Sequence, residues 1–427
     1  MPMNDNIITT VKNELCFGCG SCVTVCPVQA VQMHFSPLGR LLPTVDVDRC
    51  THCGLCLRIC PGIDMSGDLS EAIDASLMGQ AERPLFAKST DQEVFANAQS
   101  GGAVTTTLAY LFDQGHIDAA LVVGQEHQKA QYRVVTSKQE LLNSQSSQYT
   151  PVDLNSALPN LVGYDSVAVV GLPCHIEGIV KLKKAFPDRF SNIHFLMGLV
   201  CAGALTQACV EVTRTIGEPK VGPITDDETI FWRLKKYSNY KRADIAIVSP
   251  NGNTRTLSNN IRLICKNFLT SPRCKLCFDK MNLYSDITFG DCWGIKGEDV
   301  KNGGNVIISR NETGQKIVTE MVARGLLDCR PCSIAEITQG QGIPNKRKTI
   351  EKTLAIYRKM KFELPGWAGK FAPSESIDGK LMKKIGNFIK NDSTPNPKVL
   401  KRIVSKVKCL LLYKTITAKI RKTIGIQ

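Results

Sequence analysis

Eight cysteines crowd into the stretch from position 16 to position 60. They repeat one pattern twice: Cys16-x2-Cys19-x2-Cys22-x3-Cys26-Pro27 and Cys50-x2-Cys53-x2-Cys56-x3-Cys60-Pro61. A cubane iron–sulfur cluster needs four thiolates that converge from different directions. A C-x2-C-x2-C loop wraps three of them around one cluster, and the fourth Cys of each run leaves on the next helical turn to ligate the other cluster. The spacing therefore predicts one 4Fe-4S set of Cys16, Cys19, Cys22 and Cys60, and a second of Cys50, Cys53, Cys56 and Cys26. Gly18, Gly20 and Gly54 leave the backbone room to fold tightly around sulfide. Zinc is a poorer fit, since it takes Cys pairs at longer separation and not four within eleven residues.

The other ten of the eighteen cysteines are scattered through a 427-residue chain of ordinary globular make-up, 43% hydrophobic and 22% charged. The start, MPMNDNIITT, has neither the basic nor the apolar region of a signal peptide, so a reducing cytoplasm and metal-binding thiols are expected rather than disulfides. No apolar run reaches the ~18 residues needed to span a bilayer. Of the net charge of +14, twelve units sit between Lys380 and Gln427, where thirteen Lys/Arg face one acid, Asp392. The basicity belongs to a tail.

The chain reads as a Cys-rich unit (1–75), a body from about 85 to 345 whose joins are punctuated by Gly and Pro, and a linker with a basic tail (346–427). The body alternates short apolar runs with helical stretches, an α/β or α+β pattern. Expected strands are Ala119–Val123, Val167–Val170, His194–Val200, Asp244–Val248, Asp286–Phe289 and Asn305–Ser309. Helices are expected at Ala103–Asp113, Ile176–Ala185 and Thr313–Arg324.

Four features of the body bear on chemistry. Ser100-Gly101-Gly102 opens an apolar helix, and a helix N-terminus of this kind suits a cofactor phosphate; more often such a turn is just a cap. Gly171-Leu172-Pro173-Cys174-His175 follows a strand, and Cys201-Ala202-Gly203 ends the next, where α/β sites lie. Arg273-Cys274-Lys275-Leu276-Cys277 is followed by SDITFGDCWG, which includes Cys292. The Cys-rich unit resembles a bacterial two-cluster ferredoxin module. With the body motifs, the chain from about 12 to 345 resembles the beta-subunit family of coenzyme F420-reducing hydrogenases and dehydrogenases. That family includes bacterial members associated with surface-polysaccharide synthesis, and the resemblance implies that the body comprises two units, 85–165 and 166–345.

The resemblance implies FAD and a further 4Fe-4S cluster held by Cys174, Cys201, Cys274 and Cys277, with Cys292 as the substitute ligand. A lone Cys at an apolar strand end can equally be a small buried hydrophobe, and C-x2-C alone could hold zinc. Family position and the phosphate argument together make Ser100, Gly101, Gly102 and Lys235 the FAD contacts. His175 is a candidate catalytic proton donor beside the flavin, or a polar residue packed near the cluster. The chain departs from the family at Gly171-Leu172-Pro173-Cys174-His175, where relatives read Gly-Thr-Pro-Cys-Gln, and in lacking a Gly-Trp after Arg233-Leu234-Lys235.

The expected activity is an oxidoreductase. A ferredoxin or partner subunit donates electrons, the clusters pass them to FAD, and FAD reduces an organic substrate. The rival reading is an electron-transfer subunit that feeds a partner enzyme and has no substrate of its own. Nucleic acid is not an expected partner, since the tail carries one aromatic, Tyr413, between 395 and 427. Apolar positions 400, 403, 404, 407, 411 and 420 of that tail recur at helical steps among Lys and Arg. The stripe suits the inner face of the membrane or the protein's own body, and the blander alternative is a solvated basic end that keeps the chain soluble.

Overall fold

The computed structural model describes residues 6–65, 67–73, 76–237, 240 and 243–423. Near its N-terminus, Val31–Phe35 (β1) and Leu41–Val45 (β2) pair antiparallel between the two cysteine loops. Each loop runs into a short helix, Ser21–Val25 or Leu55–Arg58, entered through a glycine in the left-handed region: Gly20 at φ 89° and Gly54 at φ 72°. A side chain at either position would be strained, which explains the glycines.

The body is built on one eight-stranded sheet. Its strands are Glu82–Ser89 (β3), Ala119–Glu126 (β4), Lys129–Val135 (β5), Val167–Gly171 (β6) and Ile193–Leu199 (β7). After a small sheet of Thr229–Phe231 (β8), Ile245–Val248 (β9) and Thr254–Leu257 (β10), the large sheet is completed by Ile287–Asp291 (β11), Asn305–Ser309 (β12) and Leu327–Pro331 (β13). The order is β13-β3-β12-β11-β7-β6-β4-β5, so both expected body units contribute to one sheet. Its centre, β4, β6, β7 and β11, is parallel, while pairing toward both edges is antiparallel. All of β6, VAVVG, is buried, the run expected of a parallel strand covered on both faces. The helices Ala103–Asp113 and Glu312–Ala323 pack on one side, and Pro173–Ala185 on the other.

The Cys-rich unit is stitched into this body. Asn155 donates its amide to the Cys19 carbonyl (3.0 Å), and Tyr357 donates its hydroxyl to the Glu14 carbonyl (3.0 Å). Arg40 is buried between two carboxylates, Glu14 at 2.5 Å and Asp392 at 2.6 Å. Asp392, at the end of helix Gly379–Asp392, also accepts from Ser36 Oγ (2.6 Å) and the Leu38 amide (2.8 Å).

The last helix, Pro397–Thr423, lays Val399, Ile403, Val404 and Val407 into a core shared with helices Ala208–Val221 and Asn260–Leu269. The apolar stripe of the tail as far as Leu411 therefore covers the protein's own body, and the side chain at position 420 lies outside the described residues. Past Leu411, the side chains of Leu412, Tyr413 and Ile416 stay exposed. Among the described residues no helix is long and apolar enough to cross a membrane.

Candidate iron–sulfur sites

The two cysteine loops frame two hollows. One, with about 300 Å³ of empty space, is lined by Cys16, Cys19, Cys22 and Cys60 together with Gly20, Ser21 and Gly62. The other, of about 350 Å³, is lined by Cys26, Cys50, Cys53 and Cys56. Each hollow thus takes three cysteines from one run and the fourth from the other. The donor set and the cradle fit a cubane. The Cβ of any residue replacing Gly62 would meet Cys60 Sγ at 3.3 Å, and Gly18 and Ala30 amides donate to Cys16 Sγ (3.4 Å) and Cys26 Sγ (3.2 Å). Sulfur-directed amides of this kind tune cluster potential.

The two hollows differ in setting. Burial pushes the Cys19 thiol up to about 11, with Cys60 adding to the shift, and it pushes Cys16 and Cys22 up as well. Cys53, by contrast, is exposed. The first set is thus the inner site and the second the outer one. Bare thiols repel each other's ionisation in this way, and a bound cation relieves it.

The body cysteines gather at the C-terminal ends of the parallel strands. Asn282 Nδ2 donates to the Gly171 carbonyl (2.9 Å) and the Leu199 carbonyl (3.3 Å), holding the ends of β6 and β7 together. Cys174 begins the helix after β6, and Cys201 follows β7. Cys274 lies in the short helix Pro272–Leu276, with Cys277 just beyond it. Burial raises Cys174 well above the ordinary thiol value, and Cys19, Cys201 and Cys277 raise it further. Cys201 is raised by burial and then by Cys274. Cys274 lies against the Cys201 turn, where a Cβ at Gly203 would stand 3.9 Å from Cys274 Sγ, and Cys174 is near enough to Cys19 to feel its charge. Among the described residues no three His, Cys, Asp or Glu draw together as they would on a single metal ion; a cubane spreads its thiolates over a larger cage.

The expected flavin contacts also meet. Lys235 Nζ donates to the Ser100 carbonyl (2.6 Å) and lies 3.5 Å from the Phe95 ring centroid; burial lowers its pKa to about 8. The turn itself is already satisfied. Ser100 Oγ donates to the Gly304 carbonyl (2.5 Å), and Asn305 Oδ1 accepts from the amides of Gly101 (3.0 Å) and Ala103 (3.1 Å). Ser100, Gly101 and Gly102 thus close-pack β3 and β12 against a helix start, and two of the amides an anion would need are taken. His175 is 4% exposed. Its Nδ1 accepts from the Leu172 amide (3.3 Å), which leaves Nε2 as the protonated nitrogen donating to the Val152 carbonyl (3.1 Å). Burial lowers its pKa to about 4. With both nitrogens engaged by backbone, neither is free to hand a proton to a substrate.

Cys292 lies apart from the four, buried with its thiol donating to Tyr240 Oη (3.5 Å). Cys209 and Cys265 are buried in the core under the last helix, and Cys409 is exposed. Cys329 sits on edge strand β13. Sequence reasoning missed the charged groups around the body cysteines. Arg273, fully buried, donates to the Leu15 carbonyl (3.0 Å) and the Gly62 carbonyl (3.3 Å), joining the two regions. Glu177, fully buried, has neither carboxylate oxygen hydrogen-bonded, and burial and the Asp279 charge push it toward its neutral form. No local pattern announces either residue.

Comparison with known proteins follows the same division. Residues 15–62 match the 4Fe-4S dicluster domain. Residues 85–159 match the N-terminal region of the family described as coenzyme F420 hydrogenase/dehydrogenase, beta subunit, and 164–335 match its C-terminal region. The chain is 25% identical over 316 residues to the coenzyme F420 hydrogenase subunit beta of Methanothermobacter thermautotrophicus, covering 68% of this chain and 99% of that one. It is 24% identical over 221 residues to the F420-dependent formate dehydrogenase 1 subunit beta of Methanococcus maripaludis, covering 50% and 53%. Its fold resembles a chain of the F420-reducing [NiFe] hydrogenase complex from Methanosarcina barkeri, with a TM-score of 0.53 and 20% identity over 68% of this chain and 96% of that one.

Proposed function

The chain belongs to the coenzyme F420 hydrogenase/dehydrogenase beta-subunit family, and from that premise we propose that it is the iron–sulfur electron-transfer subunit of an oxidoreductase complex. One observation carries the reading: two hollows, each lined by four cysteines, one open to solvent at Cys53 and the other reaching Cys174 through Cys19. A 4Fe-4S cluster, when bound, takes up and releases one electron. The residues of the chain supply the order. Cys53 offers a partner an accessible entry, the buried inner set isolates the intermediate stop from water, and Cys174, Cys201, Cys274 and Cys277 form the exit in the body. That exit, a third cluster, is supported by the family resemblance and by the charges that Cys174 feels from Cys201 and Cys277, and Cys201 from Cys274.

Iron content tests this. Anaerobically prepared protein should carry about twelve irons, four per cubane, and Cys274→Ser should lose about a third of them and keep the module pair. About eight irons, with zinc in the body, would overturn the exit. Co-purification with an oxidoreductase subunit, and no substrate turnover by the chain alone, would support the subunit role.

A finer reading gives the chain its own FAD and an organic substrate, within surface-polysaccharide synthesis. It rests on the resemblance and on Lys235 meeting Ser100. The satisfied amides of Gly101 and Ala103 weigh against a phosphate at that turn as it stands. Release of FAD on denaturation would favour this reading, and a protein that neither retains nor binds FAD would end it. The same reading places the exposed Leu412, Tyr413 and Ile416, on a tail with no acidic residue after Asp392, against anionic lipid. Replacing all three by Ser should then abolish salt-sensitive sedimentation with anionic liposomes; unchanged sedimentation would exclude that surface.

A further inference from the structure

Three lysines from distant parts of the chain crowd the body cysteines. Lys346 Nζ donates to the Cys274 carbonyl (2.8 Å), and the Lys280 carbonyl accepts from the Cys201 amide (3.0 Å) while its ammonium reaches the Gln341 carbonyl. Lys266 lies 6.0 Å from the Tyr149 ring centroid and close enough to Cys201 and Cys274 to interact with both electrostatically. Lys266 and Lys346 both favour the thiolate of Cys201, and Lys346 is the strongest charge favouring that of Cys277. Among the described residues none of the three has a carboxylate at ion-pair distance. Their mutual repulsion adds to burial in pushing Lys280 down to about 8. An arrangement of partly buried, unpaired, like charges is unfavourable alone and is relieved by an anion at its centre.

The module is arranged differently. Arg40, the cation that bears on Cys16, is neutralised by Glu14 and Asp392. Lys181 donates to the Cys60 carbonyl (3.3 Å) and the Asp64 carbonyl (2.6 Å), and it faces the charges of Cys60, Asp64 and Glu177. At the outer site the charges felt most by Cys56 are its neighbours Cys53 and Cys26. In the body, the carboxyls that bear on Cys277 are Glu177, which faces Arg273, and Asp279, which faces Arg310 and accepts from the Leu283 amide (3.0 Å).

We propose that Lys266, Lys280 and Lys346 form a cationic cage that raises the reduction potential of the cluster held by Cys174, Cys201, Cys274 and Cys277, and so drives electrons from the module into the body. The proposal rests on the body-cluster reading above. Reduction adds one negative charge to a cluster, and positive charge held nearby in a medium of low dielectric constant stabilises the reduced form. In the step so favoured, the inner site is oxidised by one electron and the body site reduced by one. No bond or proton is exchanged.

An EPR-monitored redox titration of the full-length, anaerobically reconstituted protein tests this. Lys266→Gln, Lys280→Gln and Lys346→Gln should each move the body signal to lower potential, and the triple variant should move it furthest. The two module signals should stay in place. Lys→Arg at the same positions keeps the charge and should hold the potential; it also serves where a Gln variant folds poorly. An unmoved body signal, an equal shift in the Arg variants, or a common shift of all three signals overturns the cage. A protein with about eight irons and two signals removes the body cluster itself, a failure separable from the others by iron count.

Discussion

The ferredoxin module and the body bring their cysteines together by opposite routes. In the module six of the eight cysteines come from two loops of seven residues, and one hairpin brings the crossed partners into place. In the body, Cys174, Cys201 and the Cys274–Cys277 pair come from three separate elements, assembled only when β6 and β7 pair and Asn282 ties their ends. A locally encoded site survives changes elsewhere in the fold. A topologically encoded site is only as firm as the sheet beneath it.

The sharpest way to break this contrast is to damage the body far from any cysteine ligand. Ending the chain after Asp392 removes Val399, Ile403, Val404 and Val407 from their core. At roughly 1.5–3 kcal/mol for each buried side chain, the loss is about 6–12 kcal/mol as an upper bound. Calorimetry should show the body transition collapsing while about eight irons stay with the module. Loss of all iron together would make the two regions one unit and end the distinction.

A smaller effect should come from the joint. Arg40→Ala leaves Glu14 and Asp392 buried without their cation, which costs about 3–5 kcal/mol. Denaturant unfolding should register it, and a change under about 1 kcal/mol would mean that water reaches the carboxylates and the joint is loose.

The smallest and most discriminating test lies inside the module. Gly20 and Gly54 occupy equivalent places with similar φ. A Cβ on Gly20 would meet the Ser156 amide nitrogen at 2.7 Å, whereas one on Gly54 would meet nothing within 4 Å. Gly54→Ala should cost only its backbone strain, about 1 kcal/mol. Gly20→Ala adds a collision with the body and should cost at least twice that. Equal penalties would mean that the module rests on the body without being fitted to it.

The same contrast decides what could be read in advance. The helix Ala103–Asp113 and the strand Asn305–Ser309 were legible because apolar runs are local signals. Strand β3, ERPLFAKS, was not: it carries Pro84 and no apolar–polar alternation, and it is a strand because β12 and β13 pair with it. The Ser-Gly-Gly turn could be read as a cap or as an anion site because its partner, Asn305, stands about two hundred residues away. The amphipathic stripe of the tail was real, but periodicity says nothing about which apolar surface a stripe will meet. The three lysines of the body site, at 266, 280 and 346, share no motif at all.

Arg40 and Asp392 are 352 residues apart in sequence. At synthesis rates of about 5–20 residues per second, the ribosome finishes the module some tens of seconds before the partner that closes over it exists. During that interval the cysteine loops, already complete in themselves, are expected to be open to whatever delivers iron and sulfide. The carboxylate of Asp392 then arrives last and shuts the joint. Synthesis order alone thus separates completion of the cysteine loops from closure of the joint over Arg40.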